Sequence, residues 1–475
     1  MHSSTPLVSE AKWLEELESF ASEVIDRTSD YVWVRRDDRL LILRPNTVHF
    51  LNETAAEILD LLYSGSTAGE VVRAIASKYG VKEEVVANDI RNLLKTLLAI
   101  LKRQYSPIAT PSLRKTSFGE HKIVYPVLSE IALTYRCQNR CVFCYASSPR
   151  ATDELSTEQF KKIIWKIFYE ARCPTLSFTG GEPTLREDLP ELIEYAKSLG
   201  EDKKRMRVNL ITNGIKCADK DYVKALAKAG LDSAQVSLEA GSPEVHDVIT
   251  GNKGSFNKTV KGVKNFREAG IHVHTNTTIC SLNKDHMKEL IDFLVDELDN
   301  EYFSANMVIR TGTALKNDVG LTYTEMAKLL PEIISYSRER GIKFVWYSPI
   351  PYCIFNPVAH GLGSKSCAAC HGLLSISPEG EVLPCSSFSK GVGNMLEQTF
   401  EEIWFSRVAK YWREKKFVPP PCKECKLVDI CSGACPLYWD SAGSFEEISG
   451  KKSPFRYFVW RLERRVFGKV FGVGK

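Results

Sequence analysis

Between residues 127 and 309 six short apolar runs recur, at 128–133, 176–178, 208–211, 234–238, 273–279 and 303–309. The stretches between them, among them 157–169, 189–199, 219–229, 257–269 and 284–298, carry apolar residues at helical spacing. A strand followed by a helix, repeated, buries both faces of its strands by forming a parallel sheet with helices outside. Six such units predict an α/β fold, a partial (βα)6 TIM-like barrel over 127–340. Chemistry in such a barrel sits at the C-terminal ends of the strands.

At 475 residues the chain is long enough for two to four domains. Its net charge of +4 gives no electrostatic footprint for nucleic acid, which is not expected as a partner. No run of about 18 apolar residues occurs, so no membrane span is expected. Residues 1–19 mix Ser, Glu and Lys without the apolar stretch of a signal peptide, and a cytoplasmic location follows. Of fourteen cysteines, eleven fall within 137–144 and 353–435. In a reducing compartment such clustering points to metal rather than to disulfides. Cys173, Cys217 and Cys280 stand apart and read as buried small apolar residues.

The first expected strand runs straight into Cys137, Cys141 and Cys144, spaced Cys-x3-Cys-x2-Cys. Thiolates bind iron, and a tight loop can bring three of them to one cubane cluster with one iron left open. A zinc knuckle would want a fourth Cys or His nearby, and none lies close. The spacing, with Phe143 before the last Cys, resembles the signature of the radical S-adenosylmethionine (SAM) superfamily. That resemblance implies a SAM-binding [4Fe–4S] cluster on these three cysteines, which become the catalytic centre. Further motifs fall at the ends of successive strands. Gly180, Gly181, Glu182 and Pro183 resemble the superfamily's Gly-Gly-Glu-Pro motif, which receives the SAM amino group. Asn213 after the third strand and Ser237 and Glu239 after the fourth are implied to line the ribose and methionine sites, with Tyr145 beside the cluster. The run His246-Asp247-x2-Thr250-Gly251-x2-Gly254-Ser255-Phe256 resembles a motif of the peptide-modifying branch, where many relatives carry Arg at the position of Thr250.

Beyond about residue 345 the chain is richer in Cys, Pro and Gly and reads as a region organised by metal rather than by a large core. Cys370 is followed by Gly380 and Cys385, then by Cys422-x2-Cys425-x5-Cys431-x3-Cys435. This combination resembles the SPASM domain, placed here over 341–445, and implies one or two auxiliary iron–sulfur clusters. The first would use Cys367, Cys370, Cys385 and Cys435; the second, Cys422, Cys425 and Cys431. No Cys follows Cys435, so the second has a non-Cys ligand such as Asp440, an open iron, or an unusual partner such as Cys353. Zinc sites are the alternative, because sulfur-rich sets do not distinguish the two metals.

Residues 31–103 read as a winged helix, with strands near 31–35 and 40–43, a helix capped by Asn52, a second from Thr67 and a third from about Glu83. The segments 47–62 and 67–79 resemble the PqqD-type peptide chaperone of pyrroloquinoline quinone biosynthesis, where a leader peptide adds as a strand to the wing. DNA binding and a purely structural domain are the other readings. Residues 104–126 read as a linker. The tail, 446–475, carries Phe455, Phe458, Val459, Leu462 and Val466 at helical spacing among arginines. It is expected to pack that stripe against the body rather than on a membrane.

Together these imply a radical SAM maturase that modifies a ribosomal peptide or protein side chain by crosslinking or oxidation. The expected partners are a leader-bearing peptide and a reductant such as ferredoxin or flavodoxin. Action on a tetrapyrrole or other cofactor precursor is the alternative. A non-enzymatic iron–sulfur regulator would leave the Gly-Gly-Glu-Pro motif unexplained.

Overall fold

The structure, a computed structural model, describes residues 7–44, 47–102, 113–116, 123–201, 203–450 and 453–470. They form two compact units. One holds the described residues up to 116, then 123–124 and Leu199–Met206; the other holds Tyr125–Ser198 and the described residues from Arg207 onward.

The first unit begins with helix α1 (Leu7–Thr28) and continues through β1 (Val32–Arg35), β2 (Leu40–Leu43), β3 (Thr47–Leu51), α2 (Glu53–Tyr63), α3 (Ala68–Tyr79), α4 (Glu83–Leu101) and β4 (Leu113–Thr116). The strands form one antiparallel sheet in chain order. Local chemistry sets the helix starts. Asn52 accepts the Ala55 N–H at 2.7 Å, and Thr67 and Glu70 form a reciprocal capping box. The core is the apolar face of the helices, with Leu59, Val71, Ile90, Leu94 and Leu97 fully buried. Helix α1 adds Leu17, Ala21 and Val24 to it, a contribution not foreseen in the sequence. Strand β4 lies inside the stretch expected to be a linker, because β3 offers it an edge to pair with; residues 104–112 and 117–122 lie outside the described residues.

The turn after β1 places a bidentate ion pair in this core. Arg35 Nε and Nη2 donate to Asp38 at 2.8 Å each, both side chains buried, and Asp38 also accepts the Val124 N–H at 3.1 Å. Asp38→Ala would leave a buried guanidinium without its carboxylate. It is expected to cost about 3–5 kcal/mol of stability, read as a lower denaturant midpoint for the unit.

The second unit runs through β5 (Leu128–Thr134), α5 (Thr157–Tyr169), β6 (Thr175–Gly180) and α6 (Leu189–Ser198). After the short strands β7 (Gly200–Glu201) and β8 (Lys204–Arg205), which belong to the first unit, it resumes at β9 (Arg207–Thr212). Next come α7 (Lys220–Lys228), β10 (Ser233–Ser237), α8 (Pro243–Thr250), α9 (Ser255–Glu268), β11 (His272–Ile279), α10 (Met287–Asp296) and β12 (Tyr302–Met307). Then follow α11 (Ala314–Asn317), α12 (Tyr323–Glu339) and β13 (Lys343–Trp346). Apart from β7 and β8, the strands from β5 to β13 are all parallel, in the order β13-β12-β11-β10-β9-β6-β5. This is the expected partial barrel. One face of its strands is apolar and fully buried, as at Leu176, Phe178, Val208, Leu210, Ala234 and Val236. The other is polar and cross-linked. Asn209 bonds Ser177 and Ser233, and Asn276 bonds Ser304 and Asn306, at 2.9–3.2 Å.

The Cys-rich region extends the same sheet. Strand β14 (Leu373–Ile376) pairs parallel with β5, followed by β15 (Glu381–Leu383) and β16 (Gly393–Asn394). The expectation of a region lacking a large core is corrected. Trp404, Trp412, Trp439 and Trp460 are all fully buried there. The tail forms a helix, Pro454–Val470, but not with the expected face inward. Phe455, Phe458 and Leu462 are exposed, while Tyr457 and Trp460 are buried, and the Trp460 indole N–H donates to the Phe417 carbonyl at 2.8 Å. Indole has a donor to satisfy and the larger area to bury, so it wins the inner position. The Val466 side chain lies outside the described residues. Among the described residues no helix is long and apolar enough to cross a membrane.

Candidate iron–sulfur and S-adenosylmethionine site

All the expected strand-end residues gather at the C-terminal ends of β5, β6, β9 and β10. The loop after β5 carries Cys137, Cys141 and Cys144, and its sulfurs receive hydrogen bonds. The Asn139 N–H donates to Cys137 Sγ and the Ser148 N–H to Cys144 Sγ, each at 3.4 Å, and Asn213 Nδ2 approaches Cys137 Sγ at 3.8 Å. Burial raises the Cys137 thiol to about 12 and the Cys141 thiol well above its usual range; the nearby carboxylates and thiols add to both shifts. Three mutually close sulfurs, two of them on thiols that burial holds protonated, with N–H groups aimed at sulfur, suit a metal that holds them as thiolates. Among the described residues no three His, Cys, Asp or Glu side chains converge as a single ion requires. On a four-iron cube each thiolate takes a different iron, so that convergence is not needed.

The Gly-Gly-Glu-Pro segment packs on the approach to this loop. Gly181 N–H donates to the Thr134 carbonyl at 2.7 Å and Glu182 N–H to that of Arg136 at 2.9 Å. A Cβ at Gly180 would stand 2.2 Å from the Thr134 oxygen, and one at Gly181 2.4 Å from that of Arg136. The glycines are therefore required by the chain's own backbone as well as by any ligand. Glu182 is fully buried and ties two strand ends together. It accepts from Thr184 N, Thr184 Oγ1, Thr212 Oγ1 and Asn213 N. Pro183 opens the short turn that follows, and Tyr145 donates its hydroxyl to the Gly180 carbonyl at 3.3 Å.

Ser237 closes β10, and Glu239 follows it, buried and accepting the Thr278 N–H at 2.8 Å. Burial lifts the Glu239 carboxyl to about 8, so it holds its proton at neutral pH. The Glu239 N–H donates to Nδ1 of His246, whose burial lowers it to about 4 and keeps it neutral.

The His246–Phe256 motif braces the cluster loop. Asp247 accepts from Gly254 N, Ser255 Oγ and Phe256 N, fixing the turn between α8 and α9. That turn presents the Ile249 and Thr250 carbonyls to Val142 N and Arg140 N at 2.9 and 2.8 Å, and Asn252 Nδ2 donates to Asn139 Oδ1 at 2.8 Å. The Thr250 side chain turns inward to the Ser255 hydroxyl at 2.8 Å.

A second brace was not read from the sequence. Gly312 and the short helix α11 hold the other side of the loop. Thr313 donates to the carbonyls of Cys141 and Cys144 through Oγ1, and to Cys144 again through its N–H; Asn317 Nδ2 donates to Val142 O at 2.7 Å. Gly312 has φ +55°, and a Cβ there would lie 2.1 Å from the Cys144 oxygen. Its only sequence signal is a Gly between two threonines just beyond a strand end.

In the C-terminal region Cys370 N–H donates to the Pro384 carbonyl at 3.1 Å, which seats Cys385 beside it. Cys367 and Cys435 adjoin Cys385, and burial raises the Cys370 and Cys435 thiols to about 12. These are the four cysteines assigned to a first auxiliary cluster. Cys422, Cys425 and Cys431 form a separate group. Cys173, Cys217 and Cys280 are fully buried.

Three family descriptions match the chain: the radical SAM superfamily over residues 131–294, the coenzyme PQQ synthesis protein D family over 39–100, and an iron–sulfur cluster-binding domain, SPASM, over 367–426. Two curated relatives are similar. An AdoMet-dependent heme synthase of Oleidesulfovibrio alaskensis is 27% identical, and a PqqA peptide cyclase of Rhizobium meliloti is 29% identical. Each alignment covers 66% of this chain and 83% of the relative. Among solved structures, Streptococcus suis SuiB bound to precursor peptide SuiA shares the fold. Its TM-score is 0.65 at 17% identity, over 89% of this chain and 96% of that one.

The second brace yields a test. Gly312→Ala is expected to lower occupancy of the cluster at Cys137, Cys141 and Cys144 several-fold while sparing iron bound near the C-terminus. Iron content and the SAM-responsive electron paramagnetic resonance (EPR) signal measure the two separately; equal loss of both would show general unfolding instead.

Proposed function

We propose, from its matches to the radical SAM superfamily, to the coenzyme PQQ synthesis protein D family and to the SPASM domain, that the chain is a radical SAM enzyme that modifies a ribosomally made peptide. The observation that carries the reading is the PqqD-type unit ahead of the radical core. A small-molecule substrate would have no use for a peptide-recognition fold. Within that unit β1 to β3 form an antiparallel sheet, and addition of a leader peptide to such a sheet as a further strand would be β-augmentation. The peptide cyclase and the SuiB complex with its precursor support the same choice.

Cys137, Cys141 and Cys144 would hold the core cluster. Gly180, Gly181, Glu182, Pro183, Asn213, Ser237, Glu239 and Tyr145 would form the walls of the SAM site. When bound and reduced, cluster and SAM supply a 5′-deoxyadenosyl radical that takes a hydrogen atom from carbon. The chain's own part is positional. Asn139, Ser148 and Asn213 direct N–H groups at sulfur, and Glu182 locks the ends of β6 and β9. The polar face of the barrel strands can bind peptide amides. A low-potential reductant such as ferredoxin or flavodoxin would feed the clusters, a supply that goes with a cytoplasmic location.

The heme synthase relative favours a second reading, action on a tetrapyrrole. The two separate in an anaerobic assay of the reduced full-length enzyme. With the precursor peptide encoded beside its gene, turnover should remove hydrogen from the peptide, as mass spectrometry would register. The Cys137→Ala/Cys141→Ala/Cys144→Ala variant should form no 5′-deoxyadenosine. Consumption of a tetrapyrrole with the peptide left unchanged would overturn the peptide reading.

A further inference from the structure

Cys353 lies upstream of the spacing pattern that the other C-terminal cysteines obey. It sits in a tight turn, where Ile354 N and Phe355 N both donate to the Pro351 carbonyl, at 2.9 and 3.0 Å. The turn is fastened on two sides. Tyr352 accepts the Lys365 N–H on its hydroxyl at 2.9 Å, and the Tyr352 N–H donates to Cys431 Sγ at 3.4 Å. The backbone next to Cys353 is thus in contact with the sulfur of another cysteine.

Cys422, Cys425 and Cys431 are arranged by their own loop. Cys425 N–H donates to the Cys422 carbonyl at 3.0 Å and Cys431 N–H to that of Leu427 at 2.9 Å. Gly433 has φ +65°, and a Cβ there would lie 3.3 Å from Cys422 Sγ, so glycine keeps that side of the sulfur clear. The thiols feel one another as well: Cys431 and Cys425 bear on Cys353, and Cys431, Cys353 and Cys425 bear on Cys422. Asp440, the oxygen donor considered from the sequence, is engaged elsewhere, paired with Arg464 at 2.6 Å.

We propose that Cys353, Cys422, Cys425 and Cys431 together hold the second auxiliary cluster, which is closed by an upstream thiolate and presents no open iron. The assignment rests on the reading of this region as an iron–sulfur domain. As the fourth sulfur–iron bond forms, the Cys353 thiol releases its proton to solvent and displaces an oxygen donor such as water; no electron is transferred in that step. An all-thiolate cluster has no exchangeable position for substrate, so its role is electron transfer.

The test uses full-length protein carrying Cys137→Ala, Cys141→Ala and Cys144→Ala, reconstituted anaerobically, so that only C-terminal clusters remain. This background is expected to bind about eight irons per chain as two clusters. Adding Cys353→Ala should remove about half of that iron and one of two EPR signals. Adding Cys353→Ser instead should keep the iron but shift that signal and its reduction potential, since an alkoxide replaces a thiolate. If Cys353→Ala loses all iron through misfolding, the Ser variant decides. Background iron, unchanged signals and an unchanged potential in the Ser variant would overturn the assignment. So would oxygen-17 water broadening a cluster signal in the unsubstituted background, which reveals an open iron. Zinc in place of iron in the background would overturn the iron–sulfur reading itself, a failure that metal analysis tells apart.

Discussion

The loop from Thr134 to Tyr145 cannot satisfy its own backbone. It has to expose three sulfurs within a few residues, which rules out helix and strand for itself, and its peptide groups must find partners elsewhere. They find them on three sides. The Gly-Gly-Glu segment takes the carbonyls of Thr134 and Arg136, the α8–α9 turn supplies carbonyls to Arg140 and Val142, and Thr313 and Asn317 donate to Cys141, Val142 and Cys144. Each partner sits at the C-terminal end of a different part of the barrel. The parallel sheet is what brings them to one place, so fold and site are one constraint.

This explains why much of the fold was legible. Helix α5 falls at 157–169 as its spacing predicts, and six of the seven parallel barrel strands begin within one residue of the apolar runs; β13 (Lys343–Trp346) lies beyond them. These elements bury one face against a flat neighbour, and burial of that kind writes a period into the sequence. The tail failed the same reasoning for a physical cause. Phe455, Phe458 and Leu462 have the right spacing, yet Trp460 and Tyr457 on another face bury more area and satisfy polar atoms. In the Cys-rich region the core is made of isolated tryptophans from short helices and turns, which leaves no period to read.

At the site, residue identity was legible and residue purpose less so. The cysteines and the strand-end motifs stand out by type and spacing. Close packing does not: Gly180, Gly181 and Gly312 are needed where backbone meets backbone within van der Waals distance, and this depends on residues far away in sequence. Cys353 is the sharpest instance. Its spacing to the other cysteines carries no signal, because the turn that presents it is fixed by Tyr352 contacting both Lys365 and Cys431.

Charge balance gives the C-terminal region its own logic. Arg413 and Lys415 are largely buried, and burial holds both below their usual ranges while thiols beside them pull the other way: Cys370 for Arg413, and Cys367 and Cys431 for Lys415. Lys415 Nζ donates to the Asp429 carbonyl at 3.0 Å, and the charge of Asp429 acts on it as well. A buried cation without an anionic partner is costly. With every cysteine protonated, only Glu414 beside Arg413 and Asp429 beside Lys415 would offset these two charges among the groups that act on them. Thiolates held on iron would make the local charge negative, and the same two side chains would then serve as counter-ions. Lys415 interacts with a cysteine from each of the two groups, Cys367 and Cys431. Cations placed beside these sulfurs suit thiolates there better than thiols.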